Sequence, residues 1–517
     1  MSKPLHIAII GAGATGLAAA FYLERAKQAG LDISYTLLER DERVGGKVAG
    51  EIVLDPESNE PYVVDGGPDC FSAYKPGGRR MTTLLGCEND WLPSNNAKKK
   101  VYVYRDGKMR ELPEGFVMFV PTDLESLFET DLLSEEGKMD MIREMTIPPR
   151  DWSLTGQSKE GKGAARRDEA MGSFVERRFG KEVLDYIAEP FLGGVHASEP
   201  EDMSLEAHFP MYFDMEEKYG SVIRGTVEAK AMRKSMAAKA AAKADSKKKN
   251  IWGNTVFASY KLGMHQLTDA MAQHTSHSIR TAVNVESITR APDNSYCLTL
   301  KDKEKTDSEG SEELQADAVI IATESYAGAK LTKSLDPEIA AAYEGIPNIS
   351  TATVSFAFRE DDLGESRNDG FGVLVPAVEE RDLLAASWSS TKWPGRAPEG
   401  RVLIRGFVGT PKNQAVMDLS DEELTQLVLD ELRHVMDLPK NAQPLFTRLY
   451  RWTLGMSQYK MGHLDRVETI EERSSLTPGL ACAGGCFRGV GIPNCIDGGE
   501  EAARKVLADF DLEYSGE

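Results

Sequence analysis

The stretch LHIAIIGAGATGLAAAFYLER, residues 5–25, decides the fold of this chain. The mainly apolar segment Leu5–Ile10 predicts a short buried strand, and the pattern after the glycines predicts an amphipathic helix over residues 17–27. The G-x-G-x-x-G pattern lies between them, formed by Gly11, Ala12, Gly13, Ala14, Thr15 and Gly16. Its glycines permit a tight turn and close packing of helix on strand, so the free N–H groups at the helix start face an anionic group.

A second strand and an acidic residue complete this unit. Ile33–Leu38 reads as a strand, and Glu39 follows it directly. A carboxylate at this position accepts hydrogen bonds from both ribose hydroxyls of an adenosine. The segment therefore predicts a Rossmann-type βαβ unit that binds a dinucleotide, with NAD and FAD both open. The alternative, a glycine-rich turn beside a surface glutamate, would need strand, turn, helix and acid to be in register by chance.

Length and composition limit what the rest of the chain can be. At 517 residues and 56.8 kDa it has room for about three structural units. Its 41% hydrophobic and 28% charged residues are typical of a soluble globular protein and exclude collagen, coiled coil and wholesale disorder. A net charge of -21 argues against a nucleic-acid partner, because duplex affinity depends on basic side chains.

Cysteines and hydropathy predict a cytoplasmic protein. The cysteines are too sparse for a disulfide scaffold and are expected to be reduced: Cys70, Cys87, Cys297, Cys482, Cys486 and Cys495. Three of them form C-x3-C-x8-C, but no CxxC pair or neighbouring histidine supports a metal site, and we expect none. Residues 7–23 resemble a signal peptide, but the glycines divide them into strand and helix, so no transmembrane span is expected.

Further elements can be assigned along the chain. Residues 101–120 predict a hairpin, residues 132–145 and 172–187 predict helices, and residues 283–288, 296–300 and 318–322 predict strands. A last helix is expected over residues 496–510. Residues 229–249 carry eight Lys or Arg against one Asp. This basic segment is interpreted as a solvated helical excursion; the alternative is a helix in peripheral contact with an anionic membrane or an acidic partner.

Two more glycine-bearing stretches distinguish FAD from NAD. These are Arg43-Val44-Gly45-Gly46-Lys47 and Val64-Asp65-Gly66-Gly67-Pro68. A third stretch near the end, AGGCFRGVGIPNCI, residues 483–496, is here named the closing motif. The first stretch resembles the R-x-G-G element of the amine oxidase and protoporphyrinogen oxidase superfamily. The closing motif resembles that of oxygen-dependent protoporphyrinogen and coproporphyrinogen III oxidases, which ends in G-V-G-I-P-D-C; the soluble enzymes of Gram-positive type are the most similar.

Smaller blocks extend the resemblance over nearly the whole chain. Residues 112–122, 190–205 and 219–221 look like family blocks, and residues 452–463 are similar to W-x3-M-P-Q-Y-x2-G-H. The chain departs from the pattern at Ser457, where the family has proline, and at Asn494, where it has aspartate. Both departures bear on local turn geometry and leave the family resemblance intact.

The resemblance implies an α/β fold, α+β overall, with three interleaved parts. These are a Rossmann-type FAD-binding domain (residues 1–75, 255–330 and 465–517), a mixed-sheet substrate-binding domain (76–120, 200–254 and 331–464) and a helical subdomain (121–199). Noncovalent FAD contacts carried over by position are Gly11 to Gly16, Glu39, Arg40, Lys47, Gly67, Pro68, Asp69, Cys70, Val285, Trp452, Val490, Gly491 and Ile492. The alternative interpretations are a surface lysine for Lys47 and a core aromatic for Trp452. Thr323 is a weaker candidate for a flavin contact, with a turn cap as its alternative.

The implied activity is oxidation of a porphyrinogen to a porphyrin in heme biosynthesis, with dioxygen as oxidant and H2O2 as product. Coproporphyrinogen III is favoured over protoporphyrinogen IX, and a chelatase could receive the product. No catalytic side chain is assigned, because the flavin carries the chemistry. The candidate substrate contacts are Arg105, Gly193 and Gly194. The alternative interpretation of Arg105 is an exposed arginine of the hairpin, and that of the two glycines is a tight turn. Another flavin amine oxidase or desaturase, or a non-catalytic flavoprotein, are the alternatives.

Overall fold

The computed structural model describes residues 3–155, 157–158, 165–243, 252, 255–302, 311–364, 366 and 368–516. In these ranges the strands are β1 (Leu5–Ile10), β2 (Ile33–Leu38), β3 (Gly50–Leu54), β4 (Pro61–Asp65), β5 (Phe71–Ser72), β6 (Trp91–Pro93), β7 (Lys100–Arg105), β8 (Lys108–Glu111), β9 (Phe116–Val117), β10 (Val120–Pro121), β11 (Gln157–Ser158), β12 (Ala165–Arg166), β13 (Phe257–Tyr260), β14 (Ile279–Arg280), β15 (Val283–Arg290), β16 (Tyr296–Asp302), β17 (Ser311–Ala316), β18 (Ala318–Ile321), β19 (Asn348–Arg359), β20 (Gly370–Leu374), β21 (Leu383–Trp388), β22 (Arg401–Val408), β23 (Phe446–Ser457) and β24 (Leu480–Cys482).

The α-helices of the same ranges are α1 (Ala14–Gln28), α2 (Pro76–Leu84), α3 (Leu124–Glu129), α4 (Glu135–Arg143), α5 (Met171–Phe179), α6 (Lys181–Val183), α7 (Glu189–His196), α8 (Leu205–His208), α9 (Met211–Tyr219), α10 (Val222–Lys243), α11 (His265–Thr275), α12 (Ser325–Thr332), α13 (Pro337–Glu344), α14 (Ser389–Lys392), α15 (Asp421–Val435), α16 (His463–Ser475) and α17 (Ile492–Ala508).

A five-stranded parallel sheet, in the order β14-β2-β1-β18-β24, forms the first layer. β1 and β2 have the predicted bounds, and α1 begins three residues before the predicted helix. Ile10 pairs with Leu38 on one side and Ile321 on the other. Because the three strands run parallel and end in register, Gly11, Glu39 and Ala322 meet at one edge.

Both faces of this sheet are covered, which explains its nearly continuous apolar strands. Ile7, Ile9 and Ile320 pack against α1, α11 and α17 on one face. On the other face, Ala8, Ile10 and Val319 pack against α13, α16 and the antiparallel sheet β15-β16-β17. The strands predicted over residues 283–288, 296–300 and 318–322 are all present, within two residues at either end.

A seven-stranded mixed sheet, in the order β23-β19-β22-β21-β20-β7-β8, forms the second large unit. β7 pairs with β20 in parallel, and the other neighbours are antiparallel. The predicted hairpin corresponds to β7 and β8, while β9 and β10 form a separate small pair. The amphipathic helix α15 covers one face of the large sheet through Leu424, Val428 and Leu432.

Helices α3 to α10 surround a separate core that contains Leu127, Met141, Phe174 and Leu192. The helix expected over residues 132–145 is α4 followed by a 3-10 turn. The one expected over residues 172–187 is broken at Gly180 (φ 89°) and continues, through a π turn, into α7.

Leu205, Tyr212 and Val222 pack into the same core as the helices of the predicted helical subdomain. The last helix begins at Ile492 rather than residue 496, because Pro493 suits a first helical turn. The basic segment is helical up to Lys243, and residues 244–250 lie outside the described residues. The fold is α/β, with the parallel-sheet unit interleaved with a mixed sheet and a helical subdomain. The exact domain boundaries stay predictions.

Candidate active site

The first glycine loop joins β1 to α1 and leaves room above the helix start. Gly11 has φ 96°, and a Cβ there would lie 2.6 Å from the Ala322 carbonyl oxygen. A Cβ on Gly16 would lie 1.9 Å from the Gly11 carbonyl oxygen, so any side chain at this position would open the loop. Gly13 faces open space and precedes α1 without any side-chain cap. The first N–H groups of α1 are therefore available to an anionic group such as a pyrophosphate.

Glu39 closes this loop from the second strand. Its Oε2 accepts a hydrogen bond from the Ala12 N–H at 2.7 Å and its Oε1 accepts one from the Asp41 N–H at 2.9 Å. Each carboxylate oxygen keeps a further lone pair for a ligand hydroxyl. Arg40 lies on the exposed side of the turn. Val283 donates its N–H to the Glu39 carbonyl, which places the buried Val285 two residues away on β15.

The R-x-G-G loop lies directly against the first loop. The Gly45 N–H donates to the Ala12 carbonyl at 2.8 Å, and Gly46 contacts Gly13 through its backbone. The next residue, Lys47, donates to the Gly455 carbonyl at 2.6 Å and pairs with Glu324 at 2.7 Å. Burial alone lowers the pKa of Lys47, but the Glu324 carboxylate outweighs it and the pKa is raised. Lys47 is thus charged.

A third loop, Gly67 to Cys70, is held from the mixed sheet. Arg405 donates to the carbonyls of Asp65 and Gly67 at 2.7 and 2.9 Å. Asp69 is buried between Lys392 and Trp393. Although burial alone raises the pKa of Asp69, Lys392 and Arg405 outweigh it and hold the pKa well below its usual range.

The remaining members of this loop, Pro68 and Cys70, are partly exposed. Burial raises the pKa of the Cys70 thiol to about 12, so Cys70 is a neutral thiol. Pro68 lies between the Gly67 carbonyl that Arg405 holds and the buried Asp69. Trp452 donates its indole N–H to the Gly66 carbonyl at 3.0 Å, which fixes its ring at the start of this loop.

The closing motif brings the last helix onto the first loop. A Cβ on Gly499 would lie 2.1 Å from the Thr15 carbonyl, so α17 crosses α1 almost in backbone contact. Gly491 precedes α17 and provides no side-chain cap, and Val490 and Ile492 flank it. The free N-terminus of α17 and that of α1 therefore both border the same space, each with partial positive charge. We name the three loops, Glu39 and this helix start the cradle.

Comparison with known proteins identifies the family of this chain. The family described as "Flavin containing amine oxidoreductase" matches residues 14–507. The chain belongs to this family. Coproporphyrinogen III oxidase of Bacillus subtilis (strain 168) is 30% identical over 97% of this chain and 98% of its own length. The chloroplastic protoporphyrinogen oxidase of Nicotiana tabacum is 27% identical over 97% of this chain and 85% of its own length.

Solved structures give the same result for the fold. One from Exiguobacterium sp. 255-15 superimposes with a TM-score of 0.78 at 28% identity, covering 99% of this chain and 100% of the other. Cyclohexylamine oxidase from Brevibacterium oxydans IH-35A superimposes with a TM-score of 0.63 at 16% identity, over 98% and 100%. This chain is therefore an oxidoreductase that uses a flavin, and the predicted family is confirmed.

The cradle of this flavin oxidoreductase fits such a cofactor. Its uncapped helix start above Gly13 suits phosphate, and Glu39 offers acceptors for hydroxyls. The predicted contacts in all three loops, with Glu39, lie on adjoining segments at the sheet edge. Thr323 lies beside Gly11, its methyl group 3.3 Å from where a Gly11 Cβ would be, and its hydroxyl donates to the Glu324 carbonyl.

The predicted substrate residues differ in exposure and in partners. Gly193 is buried, and a Cβ there would lie 3.1 Å from a methyl carbon of Leu384, whereas Gly194 is exposed at the same end of α7. Arg105 already has partners: it pairs with Glu182 at 2.6 Å and stacks on the Tyr186 ring at 4.0 Å. A substrate carboxylate would have to compete with Glu182 for this guanidinium group.

Several site residues were not predicted from sequence. Lys75 donates to the Asn494 side chain of the closing motif. A column of aromatic rings, His196, His208, Tyr459 and His463, leads from the end of α7 to the closing motif. Tyr459 and His463 had a signal, since they belong to the block of residues 452–463, and so did His196 in the block of residues 190–205. His208 is a single histidine outside these blocks.

In the ranges listed above for the structure, no helix combines the length and apolar character of a membrane span. In the same ranges, no three His, Cys, Asp or Glu side chains are grouped as a metal site requires.

Proposed function

We propose that this chain oxidises a porphyrinogen to a porphyrin in heme biosynthesis, using noncovalent FAD and dioxygen, with coproporphyrinogen III preferred. The observation that carries the proposal is the likeness to a protein named coproporphyrinogen III oxidase, at 30% identity over 97% of this chain and 98% of the relative. Protoporphyrinogen IX is the second candidate, favoured by the similarly long match to a plant protoporphyrinogen oxidase.

FAD is proposed rather than a mononucleotide because the cradle has an adenosine end. Glu39 lies across the first loop from the start of α1, as a ribose and a pyrophosphate require. Val285 supports an adenine from β15, and Trp452 and the closing motif lie at the other end. The order of these groups along the cradle matches a cofactor with two phosphates between two ring systems.

Noncovalent binding is proposed because the cysteine of the closing motif is unsuited to attachment. Cys486 is 1% exposed, and its sulfur contacts the Thr323 carbonyl. Burial raises the pKa of the Cys486 thiol well above its usual value, and a protonated buried thiol is a poor nucleophile.

The protein's part in the reaction is placement and charge. Bound flavin supplies a two-electron acceptor, and removal of six electrons from a porphyrinogen corresponds to three dioxygen consumed and three H2O2 formed. The start of α17 stabilises negative charge at the end of the cradle where the flavin ring would lie, here named the ring end. Gly194 gives a flat substrate access to the backbone of α7, with Gly193 packing that helix on Leu384. Arg105 would bind a substrate propionate only if its ion pair with Glu182 were broken.

The proposal also includes a location and partners for the enzyme. A cytoplasmic enzyme that releases a planar, poorly soluble porphyrin needs an acceptor, and a chelatase that inserts metal into it is the proposed recipient. Peripheral membrane contact would involve the exposed basic face of α10, where Met232 and Met236 are also exposed.

The decisive experiment is anaerobic reduction of the purified holoenzyme. Coproporphyrinogen III should bleach the flavin absorbance fastest, protoporphyrinogen IX more slowly, and simple amines not at all. Admission of air should restore the flavin spectrum and give three H2O2 per porphyrin. Bleaching by an amine but by neither porphyrinogen would replace the proposal with an amine oxidase, and no bleaching at all would indicate a non-catalytic flavoprotein.

A further inference from the structure

One ion pair in the cradle has a member outside the predicted set of flavin contacts. The Lys47 ammonium lies 2.7 Å from Glu324 Oε1 and donates to the Gly455 carbonyl at 2.6 Å. These three residues come from the R-x-G-G loop, the turn after β18 and β23. The pair therefore ties together three distant segments at the edge of the flavin site.

The backbone of Lys47 leaves its side chain little choice of direction. Its carbonyl oxygen would lie 1.9 Å from a Cβ on Gly67, so the second and third loops are in backbone contact at this point. The preceding Gly46 lies close to Gly13 of the first loop: a Cβ on Gly46 would be 3.1 Å from the Gly13 Cα. With its backbone held between two loops, Lys47 extends toward the end of β18 and β23.

The Glu324 side chain does not cap the helix that follows it. Glu324 is the residue before α12, where a side chain commonly caps the first N–H groups, but its side chain makes no such bond. It reaches Lys47 instead. Both side chains remain partly accessible, 27% for Glu324 and 41% for Lys47, so the pair borders the cradle and is not part of the core.

The charges of this pair reach the closing motif. Burial raises the pKa values of the Cys486 and Cys495 thiols, and Glu324 adds to the rise while Lys47 opposes it at both sulfurs. Lys47 and Glu324 thus lie close enough to the closing motif to act on its thiols, in opposite directions. A change in either charge would act there too.

We propose that Glu324 is a positioning residue of the flavin site, which holds the Lys47 ammonium at Gly455 and offsets its positive charge beside the closing motif. The inference rests on the proposed binding of FAD in the cradle. A reduced flavin carries more negative charge than an oxidised one, so an unopposed Lys47 cation would favour the reduced form. Glu324 therefore keeps the reduction potential lower than Lys47 alone would set it.

The test is the midpoint potential of the FAD-loaded protein, measured by anaerobic equilibration with a reference dye. Glu324→Gln should raise the equilibrium constant for reduction at least tenfold, about 30 mV for a two-electron couple. Lys47→Met should lower the potential, and the double variant should return close to the parent value. Glu431→Gln is the matched control, because it breaks a half-buried ion pair with Arg381 on the mixed sheet and should leave the potential unchanged.

The outcomes distinguish the role of Glu324 from the binding of FAD itself. An unchanged potential in Glu324→Gln, or an equal shift in Glu431→Gln, would overturn the role of Glu324. If Glu324→Gln loses its FAD, the double variant should regain it, since the unopposed cation is then gone; failure to regain it would also overturn the proposal. Since no substrate is used, the result is independent of which molecule the enzyme oxidises, and a parent protein without flavin absorbance would contradict FAD binding itself.

Discussion

Tyr459 and His463 stack face to face, with ring centroids 3.9 Å apart, and together bind three backbone groups of the closing motif. The Tyr459 hydroxyl donates to the Gly485 carbonyl at 2.7 Å and accepts from the Gly489 N–H at 2.9 Å. His463 Nε2 bonds to the Phe487 carbonyl at 2.6 Å. Because the carbonyl can only accept, this nitrogen carries the proton. The pair fixes the shape of the loop that leads into α17.

Tyr459→Phe should therefore loosen the closing motif without disturbing the core. Two hydrogen bonds of about 1 kcal/mol each are lost, and FAD should dissociate with a Kd at least tenfold higher. Flavin fluorescence on titration of the apoprotein measures this. Tyr104→Phe is the control, because the hydroxyl of this β7 residue bonds to His434 on α15 and its removal should leave the Kd for FAD unchanged. Equal Kd values for both variants would mean that Tyr459 does not shape the site.

Glu39→Ala should weaken FAD retention at least tenfold while the fold is kept. Charge-assisted hydrogen bonds to ribose hydroxyls are worth about 1.5 to 3 kcal/mol each, and the Ala12 N–H also loses its acceptor. Glu24→Gln is the matched control: Glu24 is equally buried beside the same sheet but bonds to Tyr35 and Gln28. A Kd for FAD that does not differ from that of the parent would refute the role given to Glu39.

These residues show how far sequence reasoning reaches. The βαβ unit could be predicted because strand, glycines and acid lie within 35 residues and each has a local signature. Glu324 could not, since its role exists only where residues 47, 324 and 455 meet. The order of the mixed sheet was equally out of reach, because its neighbouring strands β7 and β20 are separated by more than 250 residues. Local patterns do not encode such long-range pairings.

FAD should be released intact when the protein is precipitated with acid. The six cysteines are free thiols, and Cys486, the one beside the predicted ring site, is buried against Thr323. The supernatant should be yellow and contain FAD by chromatography, and Cys486→Ser should release the same fraction. A pellet that keeps its colour in the parent but not in Cys486→Ser would demonstrate a covalent bond.

The histidines of the ring column should make the protein less stable in acid. Burial lowers the pKa of His208 to about 4 and that of His196 to about 3, both below the value of about 6.5 in an unfolded chain. A depressed folded pKa means that the unfolded state binds more protons, so stability is full above pH 6.5 and is lost as the pH falls toward 4.

His208→Gln should remove part of this loss. The parent should lose stability between pH 7 and 4.5 by on the order of 1 kcal/mol more than the variant, measured by urea unfolding at each pH. Tyr104→Phe, whose hydroxyl stays neutral over this range because burial raises its pKa, serves as the control and should follow the parent. Parallel stability curves for the parent and His208→Gln would show that His208 is not buried in its neutral form.

Arg105→Gln distinguishes two roles for the hairpin arginine. The structure places its guanidinium group at 2.6 Å from Glu182 and over Tyr186, with both charged side chains less than 20% exposed. Loss of this pair should destabilise the protein by about 2 kcal/mol, because Glu182 would be left half-buried with only Ser134 to bond.

If the pair is structural, the KM of Arg105→Gln for coproporphyrinogen III should stay within twofold of the parent value. If Arg105 instead binds a propionate, the KM should rise tenfold or more with little change in stability, and more for the tetracarboxylate than for protoporphyrinogen IX. Arg381→Gln, which breaks a comparable pair with Glu431, corrects for the general effect of lost stability on activity. The structure favours the first outcome, and oxygen uptake with both substrates beside urea unfolding would decide between them.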